Sequence, residues 1–576
     1  MNMKTISPTR KRQSAGSALM LTLIMSAVAL GILASVMAWS SASAKLTRRS
    51  IEFNRSIAAA EAATEKVLGP MTHDFLTGGE ITVSNNLTTY RQSTLPASSD
   101  SSYWGSWSFT DGTTSNRTYV NLLQWQQYTV LGSVYAGLSG YVTSFAVVSH
   151  ANDTGSSQNV GAGVYQELQL TSIPIFQFAM YTSGNMEISC GQAFSIGGRV
   201  HSNQILYVEP DSSLTFQSGV EAVVSILFQR DPLDTRGAPG GTVTYTHPEL
   251  KSSPVAALTL PIGTNNTPTA IREIIEPPPA GEDPASPLGK LRYYNNSDIL
   301  LVVSNAGIYA SSRYLTTNLP STELSNFVST ASSFSEAREV ISSGTPKTAL
   351  PVDINIGNFK TWSQTNRNLR LVGGGTNTIA SSIYVVDNRT FTSSQLGVVR
   401  VLNGAQLPNS GLTVATGRPL YVQGNYNTTN LPASLVGDAI TVLSGSWSDA
   451  NSALAVGSRN ASSTTVNAAF LTGSVTTTSG HYSGGMDNFP RFLETWGSAN
   501  VFTYNGSMIN MFPSLYATNY WNNNGNIYGP PARNWSYNVN FDNPFLLPPL
   551  TPRLCKAIRA RWSTAAPGTN GPTTYY

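Results

Sequence analysis

Hydrophobic positions are densest between Ser17 and Ala44, a run of 28 residues without a charge. Leu19, Leu23, Leu30 and Leu33, with Met20, Ile24, Met25 and Val36, make it apolar on every side, as a lipid-facing helix must be. At 1.5 Å per residue the run reaches about 42 Å, against roughly 30 Å for the hydrocarbon core of a bilayer. A secretory h-region is shorter, about 7–15 residues. Ala42-Ser43-Ala44 nevertheless has the A-x-A form of a signal-peptidase site, so a chain released at Lys45 is the competing reading. Small residues (Ala27, Ser35, Ala38, Ser41, Ala42) offer surfaces where a second helix can approach, and Trp39 suits a membrane–water interface. Beyond it, Ile51, Ala58 and Ala62 form an apolar stripe opposite Arg48, Glu52 and Arg55. The pattern therefore predicts one helix to Leu68, stopped by Gly69-Pro70.

The period then changes from helical to alternating. Tyr141–Val148 and Val164–Thr171 each alternate apolar and polar positions around the turn Asn152-Asp-Thr-Gly155, a hairpin with one wet face. From Gly184 the strands become very short and are separated by Gly, Asn or Asp-Ser: Met186–Gly191, Phe194–Val200, His201–Val208 and Leu214–Gly219. The same beat returns at Asn368–Gly375, Ile383–Val386, Val398–Val401, Leu412–Val414, Leu420–Gln423 and Ala439–Leu443. Short strands with regular turns predict a β-solenoid-like body, with a β-sandwich as the alternative because no strict period can be counted.

The fold class expected is α+β, mostly β. A basic head occupies 1–16, the hydrophobic helix 17–69 and a small antiparallel β-domain 70–182. The body spans 183–466, with a proline-rich excursion at 227–289 and an amphipathic helix at 322–341. An aromatic, Asn- and Pro-rich capping region covers 467–576.

Composition narrows the classes of function. Charged residues are 11% of the chain, against roughly 25% in ordinary soluble domains, while Gly, Ser, Thr and Asn are abundant. That is a palette for extracellular β-structure. A net charge of +3 argues for no particular partner, and no basic patch interleaved with aromatics points to nucleic acid, which is not expected as a partner. None of the five histidines is spaced as a metal pair, and no H-E-x-x-H, C-x-x-C, G-x-S-x-G or Walker sequence occurs. Catalytic, metal and cofactor-binding residues are accordingly assigned as none, and the chain is read as non-enzymatic. His481, Asp487 and Glu494 read as turn and helix-surface residues. Cys190 and Cys555 either pair in an oxidising compartment or stand as independent thiols. Tyr504, Trp521, Tyr528, Trp535 and Tyr537, interspersed with asparagines, form a candidate sugar-stacking surface. The competing reading puts those rings in the core.

Basic residues up to Arg12, then Gly16 and Ser17-Ala-Leu-Met-Leu-Thr-Leu-Ile24, closing with Ala58-Ala-Ala-Glu-Ala-Ala63, resemble the N-terminal region of PilX-like minor pilins. More broadly the segment is similar to type IV pilins and type II secretion pseudopilins. The resemblance implies a prepilin peptidase cut after Gly16, leaving Ser17 as the new N-terminus. It also implies a single-pass helix in the inner membrane that later packs with other pilin or pseudopilin subunits. The β-body would then stand in the periplasm or outside the cell, with a surface glycan as a further candidate partner. Two positions depart from the pilin pattern: Ser17 replaces the usual phenylalanine, and Leu21 stands where most pilins carry a glutamate. A minor or tip subunit fits those departures better than a bulk filament subunit. Residues 467–554, including Tyr482–Trp496 and Tyr528–Tyr537, are similar to the C-terminal part of large bacterial envelope proteins with PilX-like N-termini. The alternative function is an anchored or secreted β-helical adhesin, or a polysaccharide-binding or -degrading protein.

Overall fold

The computed structural model describes residues 15–132, 135, 137–312, 318–365, 380–521 and 526–572. The expected strand at Asn368–Gly375 and most of the basic head therefore lie outside the described residues. Helix α1 (Ala15–Asn85) does not stop at Gly69-Pro70. Pro70 lies on its exposed side, and the helix runs on because Met71, Phe75 and Val83 have fully buried places beneath a sheet. The break comes at Gly79, whose φ of 73° is the left-handed conformation that glycine adopts without a Cβ clash.

That sheet is antiparallel and contains β1 (Trp107–Thr110), β2 (Tyr119–Val130), β3 (Ser139–Asp153) and β4 (Gly161–Pro174). β1 and β2 pair with successive lengths of β3, and β3 pairs with β4 around the expected hairpin. The far edge is a strand from the other end of the chain, Arg553–Ala565, antiparallel to β4. The capping region expected at 467–576 is thus divided: its last strand completes the first sheet. The strand is held on both faces, with Leu554 in the core shared with the body and Cys555 in the core under α1, while Arg559 reaches Glu65 on α1 at 2.8 Å.

The body begins with β5 (Phe178–Thr182), β6 (Met186–Ile188), β7 (Phe194–Ile196), β8 (Arg199–Ser202), β9 (Ile205–Val208), β10 (Ser213–Phe216), β11 (Val220–Ala222) and β12 (Ser225–Leu227). Every third strand pairs in parallel, at a constant step of twenty positions: Tyr181 with His201 and then Glu221, Met186 with Leu206 and then Ile226, Phe194 with Leu214. In the large sheet β11, β8 and β5 are followed by Met508–Pro513, Ala469–Ser474, Ala433–Gly437, Leu412–Thr416, Ser382–Asp387 and Ile299–Ser304. The chain therefore enters in mid-stack and winds outward to Lys251–Ser252. It re-enters at the far end and winds back until Met508 meets Met180. The intervening excursion lies along the outside of the sheet. Leu258, Leu260, Ile262, Ile271, Ile274 and Ile275 cover Tyr181, Tyr384, Val436 and Ile509.

One further element differs from expectation. The helix at 322–341 is one turn, Ser321–Leu324, followed by strands Val328–Ser329 and Phe334–Val340. Phe334, Glu336 and Arg338 alternate into the interior, and that period of two prevails over the helical spacing of Leu324, Phe327 and Val328. The cysteines are both free: Cys190 sits in the core of the body and Cys555 in the core under α1.

Candidate functional site

Helix α1 has two halves with opposite surroundings. From Ser56 onward it is clasped: the Ser56 hydroxyl donates to the Val160 carbonyl at 2.7 Å, and Ala59, Ala60 and Ala63 pack against Trp107, Phe109 and Val164. Small side chains let the helix lie close to the sheet here. Residues 17–51, by contrast, are all exposed. Thirteen large apolar side chains from Leu19 to Trp39 are all more than half exposed, from 53% to 74%. Burying one such side chain is worth about 1.5–3 kcal/mol, so leaving all of them in water forgoes some tens of kcal/mol. Lipid or protein must cover this half.

Its polar side chains satisfy that condition from within. Thr22 donates to the Ala18 carbonyl at 3.0 Å and Ser35 to that of Gly31 at 2.8 Å, so their hydroxyls do not face an apolar medium unpaired. One helix in the described residues is long and apolar enough to cross a membrane, and it is this one. Lys45, Arg48 and Arg49 follow Trp39 on exposed turns, where headgroups would lie. Gly16 and Ser17, the expected processing site, fall in the first turns of α1. Leu21 is 63% exposed.

The aromatic residues expected to stack on sugar are drawn inward. Tyr504 and Tyr528 belong to the core, and Trp521, Trp535 and Tyr537 are partly buried against it. On the strand Val501–Gly506, Phe502 and Tyr504 both face inside, and the parallel neighbour Ala532–Tyr537 sets Trp535 opposite Tyr504. Ring centroids lie 6.2 Å apart for Tyr504 and Trp535, and 5.7 Å for Phe194 and Trp535. The rings form an interior seam between stacked strands, not a flat sugar platform. The accompanying Asn522, Asn523 and Asn524 lie outside the described residues.

Sequence reading missed the buried charges. His201 is fully buried between Glu221 (Nδ1 to Oε2, 3.1 Å) and Asn203 (Nε2 to Oδ1, 3.0 Å), and stacks on Tyr181. Asn203 also accepts from the Leu258 amide and donates to the Leu258 carbonyl, so the cluster pins the excursion to the sheet. A second group surrounds Glu187 and Glu209. Burial, then the neighbouring acids Asp231 and Asp234, push the Glu187 carboxyl up to about 7, while Thr477 opposes the shift. Glu209 is pushed up to about 8 by burial and by Glu187. No motif marks these residues, because their neighbours come from successive coils and, for Thr477, from far along the chain. Among the described residues no three His, Cys, Asp or Glu side chains are arranged to hold a metal ion. His481 stacks on Tyr520, and Glu494 accepts from the Ser444 amide and hydroxyl; no hydrogen bond joins His481, Asp487 and Glu494 among the described residues.

No family model and no curated protein matches the chain. Among solved structures, it is similar to the competence-associated pilin ComZ from Thermus thermophilus, at 11% identity over 89% of this chain and 97% of that one. The TM-score is 0.29, too low to establish a common fold.

Proposed function

We propose that the chain is a PilX-like minor subunit of a type IV pilus or a type II secretion pseudopilus, a structural protein without catalytic activity. The observation that carries the reading is the divided helix α1: an uncovered apolar half continuous with a half clasped under an antiparallel sheet. On this reading prepilin peptidase cuts between Gly16 and Ser17. The apolar half first spans the inner membrane and then packs among other subunits. Parallel pairing at a constant step favours a β-solenoid for the body over a sandwich, and the solenoid projects as an assembly, adhesion or tip module. Leu21 in place of a glutamate and the size of the body support few copies per filament.

Shearing filaments from cells and probing the pellet tests this. Recovery of the chain in the sheared fraction, in few copies per filament, is expected. Recovery only as soluble protein, or in membranes regardless of whether filaments assemble, would contradict it.

A further inference from the structure

The body contains a half-open cavity of about 250 Å³, far from α1 in sequence, whose lining includes Glu187, Asp231, Arg338, Arg491 and Asn510. Arg338 is its unusual member. The residue is only 3% exposed, yet no carboxylate lies within ion-pair distance of it among the described residues. Its Nε donates to the Asn519 carbonyl at 3.1 Å, and its two terminal nitrogens have no partner among the described residues. The neighbouring Arg491 is satisfied, by Glu339 and by the Ala517 carbonyl at 2.9 Å. A buried guanidinium facing a cavity without a counter-ion is costly, and an anion with planar, two-oxygen geometry would complete it.

Other polar groups of the cavity ask for the opposite. Asn510 donates to the Ser474 hydroxyl at 2.8 Å, but its Oδ1 is buried with no donor. Glu187 receives the Thr477 hydroxyl on both carboxyl oxygens, at 2.7 and 2.9 Å, and the Ser483 hydroxyl on Oε1 at 3.5 Å; among the described residues Asp231 receives only the Leu233 amide, on Oδ1 at 2.9 Å, so Asp231 and Oε2 of Glu187 retain acceptor capacity. These groups suit hydroxyl donors and repel a second negative charge. Phe489 and Leu233 add apolar lining against which the C–H face of a ring can lie.

We infer that this cavity binds a sugar-acid residue, with its single carboxylate on Arg338 and its hydroxyls on Asn510, Glu187 and Asp231. The inference names a ligand class and a site for the adhesive role of the body. It stands on the cavity alone and does not depend on whether α1 enters a filament. A multiply charged phosphate is disfavoured by Glu187 and Asp231, and a neutral sugar leaves Arg338 unpaired.

Titration calorimetry on the full chain in detergent, with glucuronate, glucose and inorganic phosphate as separate ligands, tests it. A glucuronate oligomer then distinguishes a polymer residue from a free acid. Glucuronate or its oligomer should bind at least tenfold more tightly than glucose or phosphate. Arg338→Gln should weaken that binding at least tenfold, and Asn510→Ala several-fold. Arg338→Gln removes an unpaired buried charge, so it should fold at least as well as the parent, with circular dichroism as the check. Arg559→Gln, on the other sheet, should leave binding unchanged. Equal binding of glucose, no heat with either acidic ligand, or an Arg338→Gln chain that is folded and binds normally would overturn the assignment.

Discussion

Glu209 shows how a chain with few charges makes each buried one consequential. Among the described residues neither of its carboxyl oxygens has a hydrogen bond, and Arg236 approaches only to 3.7 Å. Burial raises its pKa from the ordinary 4.5 to about 8, so between those values the folded state holds a proton that the unfolded state has released. Its contribution to stability is fully present below about pH 4.5 and is lost as pH rises toward 8. Glu187, raised to about 7, adds a loss of the same sign. Glu209→Gln should flatten this fall and stabilise the chain at pH 8.5 by about 1–3 kcal/mol. Denaturant midpoints of the full chain in detergent at pH 5 and pH 8.5 are the measurement, and an unchanged difference between the two would refute it. None of this was legible in the sequence: Glu187, Glu209 and Asp231 stand on successive coils, and only the stacking brings them together.

At the scale of elements, periodicity was readable wherever one face meets a core and the other does not. The hairpin of β3 and β4 and the short strands from Met186 onward follow from alternation and turn residues. Expectation failed where two tendencies compete. Gly69-Pro70 is a strong stop signal, yet proline inside a helix costs about 3 kcal/mol and burying Met71 and Phe75 returns at least that much. Pro70→Ala should therefore stabilise the clasped half of α1 by about 1–3 kcal/mol. Gly79→Ala should destabilise it by about 1 kcal/mol through φ alone, because a Cβ there meets open space. Opposite shifts in thermal midpoint would support both assignments; equal effects at the two sites would not.

At the scale of the whole molecule, the twenty-position step of the first coils was obscured because later coils have unequal lengths, as in Leu435 with Phe470 and Phe470 with Met508. The pairing of β4 with Arg553–Ala565 depends on a contact across nearly the whole chain, which no local pattern encodes. That strand covers Leu168 and Leu170 together with α1. A chain ending at Pro552 should lose protease resistance around β4 and Phe75, whereas the intact chain keeps it. The uncovered half of α1 is the feature from which function is argued, and it was legible from the first apolar run. The mass of the mature N-terminus tests the central claim most directly. The account predicts a chain beginning at Ser17, and a chain beginning at Lys45, or one left uncut, would contradict it.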